Sequence, residues 1–293
     1  DGSPMKAGAH PALAQGKVRY VGDHVAVVVA ETLAQARDAA EAVEVDYKLL
    51  PAIAETAKAR ESKVVVHDVA PDNTVYEWHL GDKDATEAAF RKAKHVTTLD
   101  ITNNRLIPNP IETRAAIGEY DMGTDSYTLY TTSQNPHVAR LVLSAFIGIA
   151  PENKLRVIAP DVGGGFGSKI FIYAEETVCV WASKKVGRPV KWNSDRTEAF
   201  LSDAHGRDHV TRAQLALDDN GKILGLRVHT IANLGAYLSL RGPLPPIVNL
   251  GSLAGVYTTP AIHVRVSGVF TNTNCTSPYR GAGRPEASTV LEQ

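Results

Sequence analysis

The sequence has little of several features that would mark particular protein classes. Two cysteines among 293 residues, Cys179 and Cys275, cannot build a disulfide framework and are typical of a reducing cytosol, so we predict a cytoplasmic protein. No apolar run reaches the ~18 residues of a membrane span, and residues 1–10 lack the basic-then-apolar layout of a signal peptide. A formal net charge of −1, with both signs interspersed, provides no electrostatic footprint for nucleic acid.

What the sequence does contain is a mixture of strand and helix patterns. The β-branched run 25–30 predicts a buried strand, Thr32 caps a predicted helix, and residues 43–47 predict a second strand of the same β-α-β unit. The polar, alanine-rich residues 53–75 predict a loose connection. Beyond it we predict helices at 85–94, 138–146 and 174–185, and strands at 96–101, 127–131, 155–159, 190–192, 210–217 and 223–232.

The most informative segment is the glycine-rich run 163–167, Gly-Gly-Gly-Phe-Gly, which follows the predicted strand 155–159. Glycine has no Cβ, so such a loop brings backbone N–H groups close to a neighbour, most often an anion. A P-loop is excluded because Ser168 separates Gly167 from Lys169, and a dinucleotide fingerprint is excluded because its third glycine is missing. A turn that lets two strands cross explains the segment alone equally well.

Three other segments carry polar side chains suited to a binding site. Gln134 stands where a predicted strand turns into a helix, so its amide can orient an oxygen-rich ligand, although a capping amide fits the segment better. Glu112 either acts as a base or pairs with Arg114 or a neighbouring arginine. Arg280, in a second glycine-containing turn, either holds an anion or belongs to an arginine–carboxylate pair that involves Glu286.

Two histidines four positions apart, His205 and His209, raise the question of a zinc site. The metalloprotease pattern needs glutamate directly after the first histidine, and Gly206 occupies that place and disfavours a helix. We therefore interpret the pair as polar residues of a loop that enters a strand. No residue of the chain is predicted to bind a metal ion directly.

Taken in order, these segments resemble the molybdenum-cofactor-binding large subunit of the xanthine dehydrogenase and aldehyde oxidase family, and above all the aerobic carbon monoxide dehydrogenase-type large chains. The hammerhead-like residues 17–51 and six further motifs in family order carry the resemblance, at 104–120, 132–134, 163–167, 205–209, 233–237 and 279–286. It implies an α+β fold with three parts. These are the C-terminal part of an a/b hammerhead domain at 1–57, a linker at 58–80, and the first half of a mixed-sheet molybdopterin-binding domain at 81–293.

The resemblance also implies a site. Molybdopterin cytosine dinucleotide would be lined by the residues of the glycine loop, Gly164, Gly165, Phe166 and Gly167. Gln134 would bind the apical oxo group of the molybdenum, and Arg280 would position the substrate or stabilise developing negative charge, so both are catalytic candidates. A small molecule would be hydroxylated with a water-derived oxygen. Electrons would leave through the iron–sulfur clusters of a small subunit and the FAD of a medium subunit.

Three departures from the family pattern narrow the range of family members and substrates that we expect. Gly281 stands where molybdenum–copper members carry a copper-binding cysteine, so the chain resembles the second form of the group. Ile170 replaces the glutamate with which xanthine-oxidising members grip a purine, which disfavours xanthine. The family's general base is a glutamate near the far end of a longer chain that includes the rest of the large subunit. This sequence lacks an initiating methionine and stops within a predicted helix at 287–293.

We therefore expect a fragment that is inactive alone. The whole protein would oxidise an aldehyde, an N-heterocycle or a similar small molecule. The alternative is a non-catalytic binding or scaffold module that keeps the fold without molybdenum.

Overall fold

The computed structural model describes residues 4–293, and for residues 248–251 it describes only the backbone. The strands in chain order are β1 (Thr74–Gly81), β2 (His95–Asn103), β3 (Ala115–Asp121), β4 (Ser126–Thr131), β5 (Leu155–Ile158), β6 (Val190–Asn193), β7 (His209–Leu217), β8 (Ile223–Gly235) and β9 (Ile262–Phe270). The α-helices are α1 (Leu33–Glu41), α2 (Lys83–Lys92), α3 (Pro136–Leu141), α4 (Ala174–Val186), α5 (Arg196–Ser202), α6 (Leu244–Val248) and α7 (Arg284–Glu292).

These elements form two compact units, each built from separate stretches of chain. Unit 1 contains residues 4–9, Ala52–Pro108 and Ala204–Gln293, and unit 2 contains His10–Pro51 and Asn109–Asp203. Each unit has its own mixed sheet, as the predicted α+β class requires. No helix within residues 4–293 combines the length and the apolar composition needed to cross a bilayer.

Unit 1 is built on a five-stranded sheet in the order β1-β9-β8-β7-β2, in which only β8 and β9 run parallel. The predicted alternating strands at 210–217 and 223–232 are confirmed as β7 and β8. Their turn forms because the Asp218 carboxylate accepts the N–H groups of Asn220 and Lys222 while Gly221 takes a φ of 78°. Apolar residues of β8 and β9 pack against α7 and bury Val228, Val264, Val266 and Ala287.

Unit 2 is built on a four-stranded sheet in the order β5-β4-β3-β6. β4 and β5 run parallel, with Tyr130 opposite Ile158, so both strands end at the same edge of the sheet. The chain leaves β4 towards Gln134 and leaves β5 towards the glycine loop. Helix α4 covers the sheet and buries Cys179 and Val180 against β3 and β4. The sheet topology therefore places the two predicted cofactor segments side by side.

The predicted buried strand at 25–30 and the predicted strand at 43–47 are wrong for this structure. Neither stretch pairs with another strand among the described residues, and Val27 and Val45 are 46% and 43% exposed. The helix between them is confirmed as α1, with Thr32 and Gln35 forming a capping box. Hydrophobic β-branched residues favour a strand, but a strand also needs a partner for its ladder hydrogen bonds, and the local pattern carries no information about that partner.

The loose connection predicted at 53–75 is also wrong. A 3₁₀ helix occupies Thr56–Glu61, and Val66 and Ala70 are buried against β8 and β9. The side-chain amide of Asn73 fixes the segment by donating to the carbonyls of Ala59 and Val64. Alanine-rich polar composition concealed this packing because small side chains add little to a hydrophobic pattern. The domain boundaries at 57 and 81 stay a prediction.

Candidate functional site

The glycine loop and Gln134 lie in unit 2 and are joined by hydrogen bonds. The side-chain oxygen of Gln134 accepts the backbone N–H of Gly167 at 2.9 Å and that of Lys169 at 3.3 Å. The backbone N–H of Gln134 donates to the Lys169 carbonyl at 2.7 Å. Because the oxygen is held on the loop, the amide nitrogen is directed elsewhere, and it makes no hydrogen bond to any described residue. Gln134 is exposed, so this nitrogen is a donor available to a ligand.

The loop itself presents further donors. The backbone N–H groups of Gly164 and Gly165 have no hydrogen-bond acceptor within residues 4–293, although Gly165 is buried. A buried N–H without an acceptor is costly, so these two groups are candidates for donating to a ligand oxygen. Phe166, 44% exposed, holds a positive φ of 52°, a strained conformation of the kind found at ligand-binding loops.

Glycine is needed at position 165 because of a close approach. A Cβ added there would lie 2.7 Å from Cδ and 2.9 Å from Cγ of Gln134, and closer still to its Oε1. Carbon atoms at such separations overlap, so no larger side chain fits unless Gln134 moves. The glycine run and the glutamine are therefore structurally interdependent, which the sequence resemblance did not state.

An ion pair between a buried lysine and a partly exposed glutamate closes the loop. The Lys169 ammonium, whose side chain is 0% exposed, donates to Oε2 of Glu112 at 2.8 Å and to the Glu112 carbonyl at 3.0 Å. The same Oε2 accepts the backbone N–H of Gly163 at 2.8 Å. Partial burial alone would raise the pKa of Glu112, but the hydrogen bonds from Lys169 and Gly163 lower it below its usual value. The expectation that Glu112 pairs with an arginine is wrong, because Lys169 occupies that position.

Two side chains that directly precede α4 and β3, Tyr173 and Arg114, support the loop. The Tyr173 hydroxyl donates to the Ser168 carbonyl at 2.5 Å, and the Arg114 guanidinium lies 3.6 Å from the centroid of the Tyr173 ring. Arg114 is itself held by Glu175 through bonds of 2.9 and 3.1 Å and by Asp203 at 2.5 Å. These buried charges are paired on several sides, which fixes the aromatic ring that contacts the loop.

One buried carboxyl group in this layer titrates unusually. Burial raises the pKa of Glu176 to about 7, although hydrogen bonds from the Thr131 hydroxyl and the Tyr173 backbone N–H act in the opposite direction. Thr131 ends β4, three residues before Gln134. The Glu176 side chain thus connects the start of α4 to the strand that delivers the glutamine.

Arg280 lies in unit 1, on the turn that precedes α7, and its side chain is exposed. The backbone of this turn is held by Arg207, which donates to the Arg280 carbonyl at 2.9 Å and to the Tyr279 carbonyl at 3.3 Å. Arg207 is buried and paired with both carboxylate oxygens of Glu286 at 3.0 Å. The Glu286 partner is therefore Arg207, which sequence reasoning missed because several nearby arginines were equally plausible partners.

Gly281 next to Arg280 is also required by the backbone. Its φ is 93°, and a Cβ added there would lie 2.7 Å from two ring atoms of Pro285.

The two histidines of the preceding motif lie as predicted, with His205 in a short bridge to Thr276 and His209 at the start of β7. Burial lowers the pKa of His209.

The structure thus brings together five of the six predicted site residues. Gln134, Gly164, Gly165, Phe166 and Gly167 form a glycine cradle beside a fixed amide, and Arg280 belongs to the other unit. N–H donors that have no acceptor among the described residues are suited to a ligand that is rich in oxygen acceptors, such as a pterin with its phosphates or an oxo group. The fold and the cradle are those expected of an oxyanion-binding domain.

Comparison with known proteins identifies the domain. Residues 66–293 match the model of the molybdopterin cofactor-binding domain, and residues 2–51 match that of the aldehyde oxidase and xanthine dehydrogenase a/b hammerhead domain. The chain belongs to the molybdopterin cofactor-binding family of the xanthine dehydrogenase and aldehyde oxidase type, as the sequence motifs indicated.

Individual relatives agree with this assignment. The chain is 38% identical over 274 residues to the carbon monoxide dehydrogenase large chain of Afipia carboxidovorans, a match that covers 89% of this chain. It is 34% identical over 281 residues to the nicotine 6-hydroxylase large subunit of Paenarthrobacter nicotinovorans, covering 93% of this chain. It spans 34% of the length of either relative, about a third.

Solved structures share the fold. The reconstituted CO dehydrogenase from Oligotropha carboxidovorans superposes with a TM-score of 0.91 at 36% identity, over 96% of this chain and 37% of the other. Quinoline 2-oxidoreductase from Pseudomonas putida 86 gives 0.87 at 32% identity, over 98% of this chain and 39% of the other.

Proposed function

We propose that this chain is the cofactor-binding portion of the large subunit of a molybdenum hydroxylase. The whole protein would oxidise an aldehyde, an N-heterocycle or a similar small molecule with an oxygen derived from water. Its partners would be a medium subunit that binds FAD and a small subunit that carries iron–sulfur clusters. The relatives with large-subunit names support this organisation, and the absence of a long apolar helix within residues 4–293 is compatible with the proposed cytoplasmic location.

One observation carries the proposal: the Gln134 amide nitrogen and the backbone N–H groups of Gly164 and Gly165 have no acceptor among the described residues and are left as donors at the glycine loop. A molybdopterin cytosine dinucleotide provides acceptors of the right kind, since its phosphates, pterin oxygens and molybdenum oxo group all accept hydrogen bonds. The residues present therefore fit the group. When bound, this cofactor supplies oxygen-atom transfer and accepts the two electrons of the substrate.

The protein's own contribution is orientation and electrostatic support. Gln134 donates its amide N–H to an oxo acceptor, and because its carbonyl is held on Gly167 and Lys169, the donor is preorganised. Gly164 and Gly165 donate backbone N–H groups without an intervening Cβ. Arg280, exposed on its turn, orients a substrate carbonyl or ring nitrogen and stabilises negative charge that develops on it.

Elemental and pterin analysis of the full-length complex, purified from its native host, tests the cofactor assignment. We expect stoichiometric molybdenum and a pterin that yields a cytosine nucleotide on hydrolysis. Absence of molybdenum after a confirmed supply of cofactor would instead establish the scaffold module. Substrate-dependent dye reduction by the isolated 293 residues is expected to be absent.

Gln134→Ala in the full complex tests the site. The expected result is a fall in kcat/KM of about 10²–10³-fold, the usual effect of removing one preorganised donor. Gln214→Ala on β7 is the control, because that amide bonds only to Thr98 and Arg227 and lies outside the cradle. Equal activities of the two variants would reject the role of Gln134.

A further inference from the structure

The glycine loop is closed by a side chain from outside it. The carboxylate oxygen Oε2 of Glu112 receives the N–H of Gly163 at the start of the loop and the ammonium of Lys169 at its end, each at 2.8 Å. The backbone of Lys169 then holds Gln134 through its own N–H and carbonyl. One oxygen atom thus connects both ends of the loop, and the backbone of Lys169 at the second end holds Gln134, whose amide nitrogen is left as a donor.

The pair is costly to maintain, which argues that it has a specific role. Lys169 is completely buried, and a buried ammonium must be fully compensated by an acceptor to avoid a large desolvation penalty. It finds two acceptors, both on Glu112. An apolar residue of the same length would fill the same space without this penalty, so packing alone does not account for a lysine at this position.

The N–H groups of Gly164 and Gly165 lie between the two points that Glu112 holds. Their direction is set by the backbone of 163–169, because glycine backbone is intrinsically permissive and needs an external restraint. The same restraint passes through Lys169 to the Gln134 carbonyl and thereby directs the amide nitrogen. We propose that Glu112 and Lys169 are positioning residues for the molybdopterin cofactor: their ion pair holds the loop donors and the Gln134 amide in the orientation that binds it.

This inference rests on the proposed function, and the test separates the two. The full-length protein is produced with its partners, and two quantities are measured: the pterin content per folded protein and the rate at which pterin is released after dilution. The variants are Lys169→Met, which keeps length and volume, and the double variant Lys169→Met/Glu112→Gln, which leaves no unpaired buried charge. The control is Lys184→Met, which removes an exposed lysine of α4 that pairs with Asp125 at 3.5 Å.

The double variant is expected to fold and to release pterin about 10- to 100-fold faster, the usual effect of losing a residue that orients a ligand-binding group. Lys169→Met alone should show the same or a larger increase, and Lys184→Met should release pterin at the unmodified rate. The molybdenum EPR signal of the double variant should broaden, because Gln134 is no longer held in one orientation.

Unchanged pterin release and an unchanged EPR signal in the double variant would overturn the positioning role while leaving the proposed function intact. If the double variant does not fold, the pair is structural and the positioning role is likewise rejected. A full-length protein without any pterin would reject the proposed function itself, and the positioning role with it.

Discussion

The substitution Gly165→Ala isolates the contact between the loop and Gln134. The φ of Gly165 lies outside the left-handed region, so alanine introduces no backbone strain, and the single change is a Cβ placed 2.7 Å from Cδ of Gln134. Either the side chains stay in place and overlap, or Gln134 swings away and gives up its hydrogen bonds from Gly167 and Lys169.

Both outcomes lower the free energy of unfolding by a similar amount. Overpacking of a well-packed site costs about 1–3 kcal/mol. Loss of two hydrogen bonds at about 0.5–1.5 kcal/mol each gives a comparable sum. We therefore expect the free energy of unfolding to fall by about 2 kcal/mol, and pterin affinity to fall by about 30-fold if the displaced amide is lost from the site.

Urea unfolding and pterin titration are the assays, with Gly123→Ala as the matched control. Gly123 lies in the turn between β3 and β4, where an added Cβ meets only Oδ1 of Asp121 at 3.3 Å, so its effect should stay within about 0.5 kcal/mol. If both alanine variants unfold at the same urea concentration and bind pterin equally well, the close approach of Gln134 has no energetic consequence and the reasoning fails.

Three further outcomes are expected. Gly281→Ala should lower Tm, because a φ of 93° and the Pro285 ring at 2.7 Å both oppose a Cβ; an unchanged Tm would contradict this. Glu176→Gln should abolish a loss of stability between about pH 4.5 and 7, since a raised pKa favours the folded state at low pH and less so as pH rises; urea midpoints across that range measure it. Arg207→Met should cost about 3–5 kcal/mol by leaving Glu286 buried and unpaired, whereas Arg207→Met/Glu286→Gln should recover most of that loss in the same assay.

Sequence patterns predicted those elements that depend only on residues close together in the chain. Alternation and a turn sequence are enough for β7 and β8, and a strand-to-helix boundary is enough to place Gln134 at a sheet edge. The strands predicted at 25–30 and 43–47 failed because the existence of a strand depends on a partner elsewhere.

Some residues of the candidate site could be predicted from the sequence and others could not. The resemblance to the family selected the glycine loop and Gln134, and the structure places them in contact, while their role in binding a cofactor stays a prediction. The ion pair that closes the loop was not predictable, because Glu112 and Lys169 are 57 positions apart and a local pattern does not show which residues pair over that distance. The Arg207 partner of Glu286 was missed for the same reason, since the two residues are 79 positions apart.

The 57-residue separation of Glu112 and Lys169 also determines when the loop can take its shape. Closing a contact of that length carries an entropic cost that must be met by other interactions, here the pairing of β3, β4 and β5. A peptide of residues 160–170 therefore has no reason to adopt the cradle conformation. The proposed binding surface therefore depends on tertiary folding, and we expect a newly synthesised chain to become competent for cofactor binding only after this sheet has assembled.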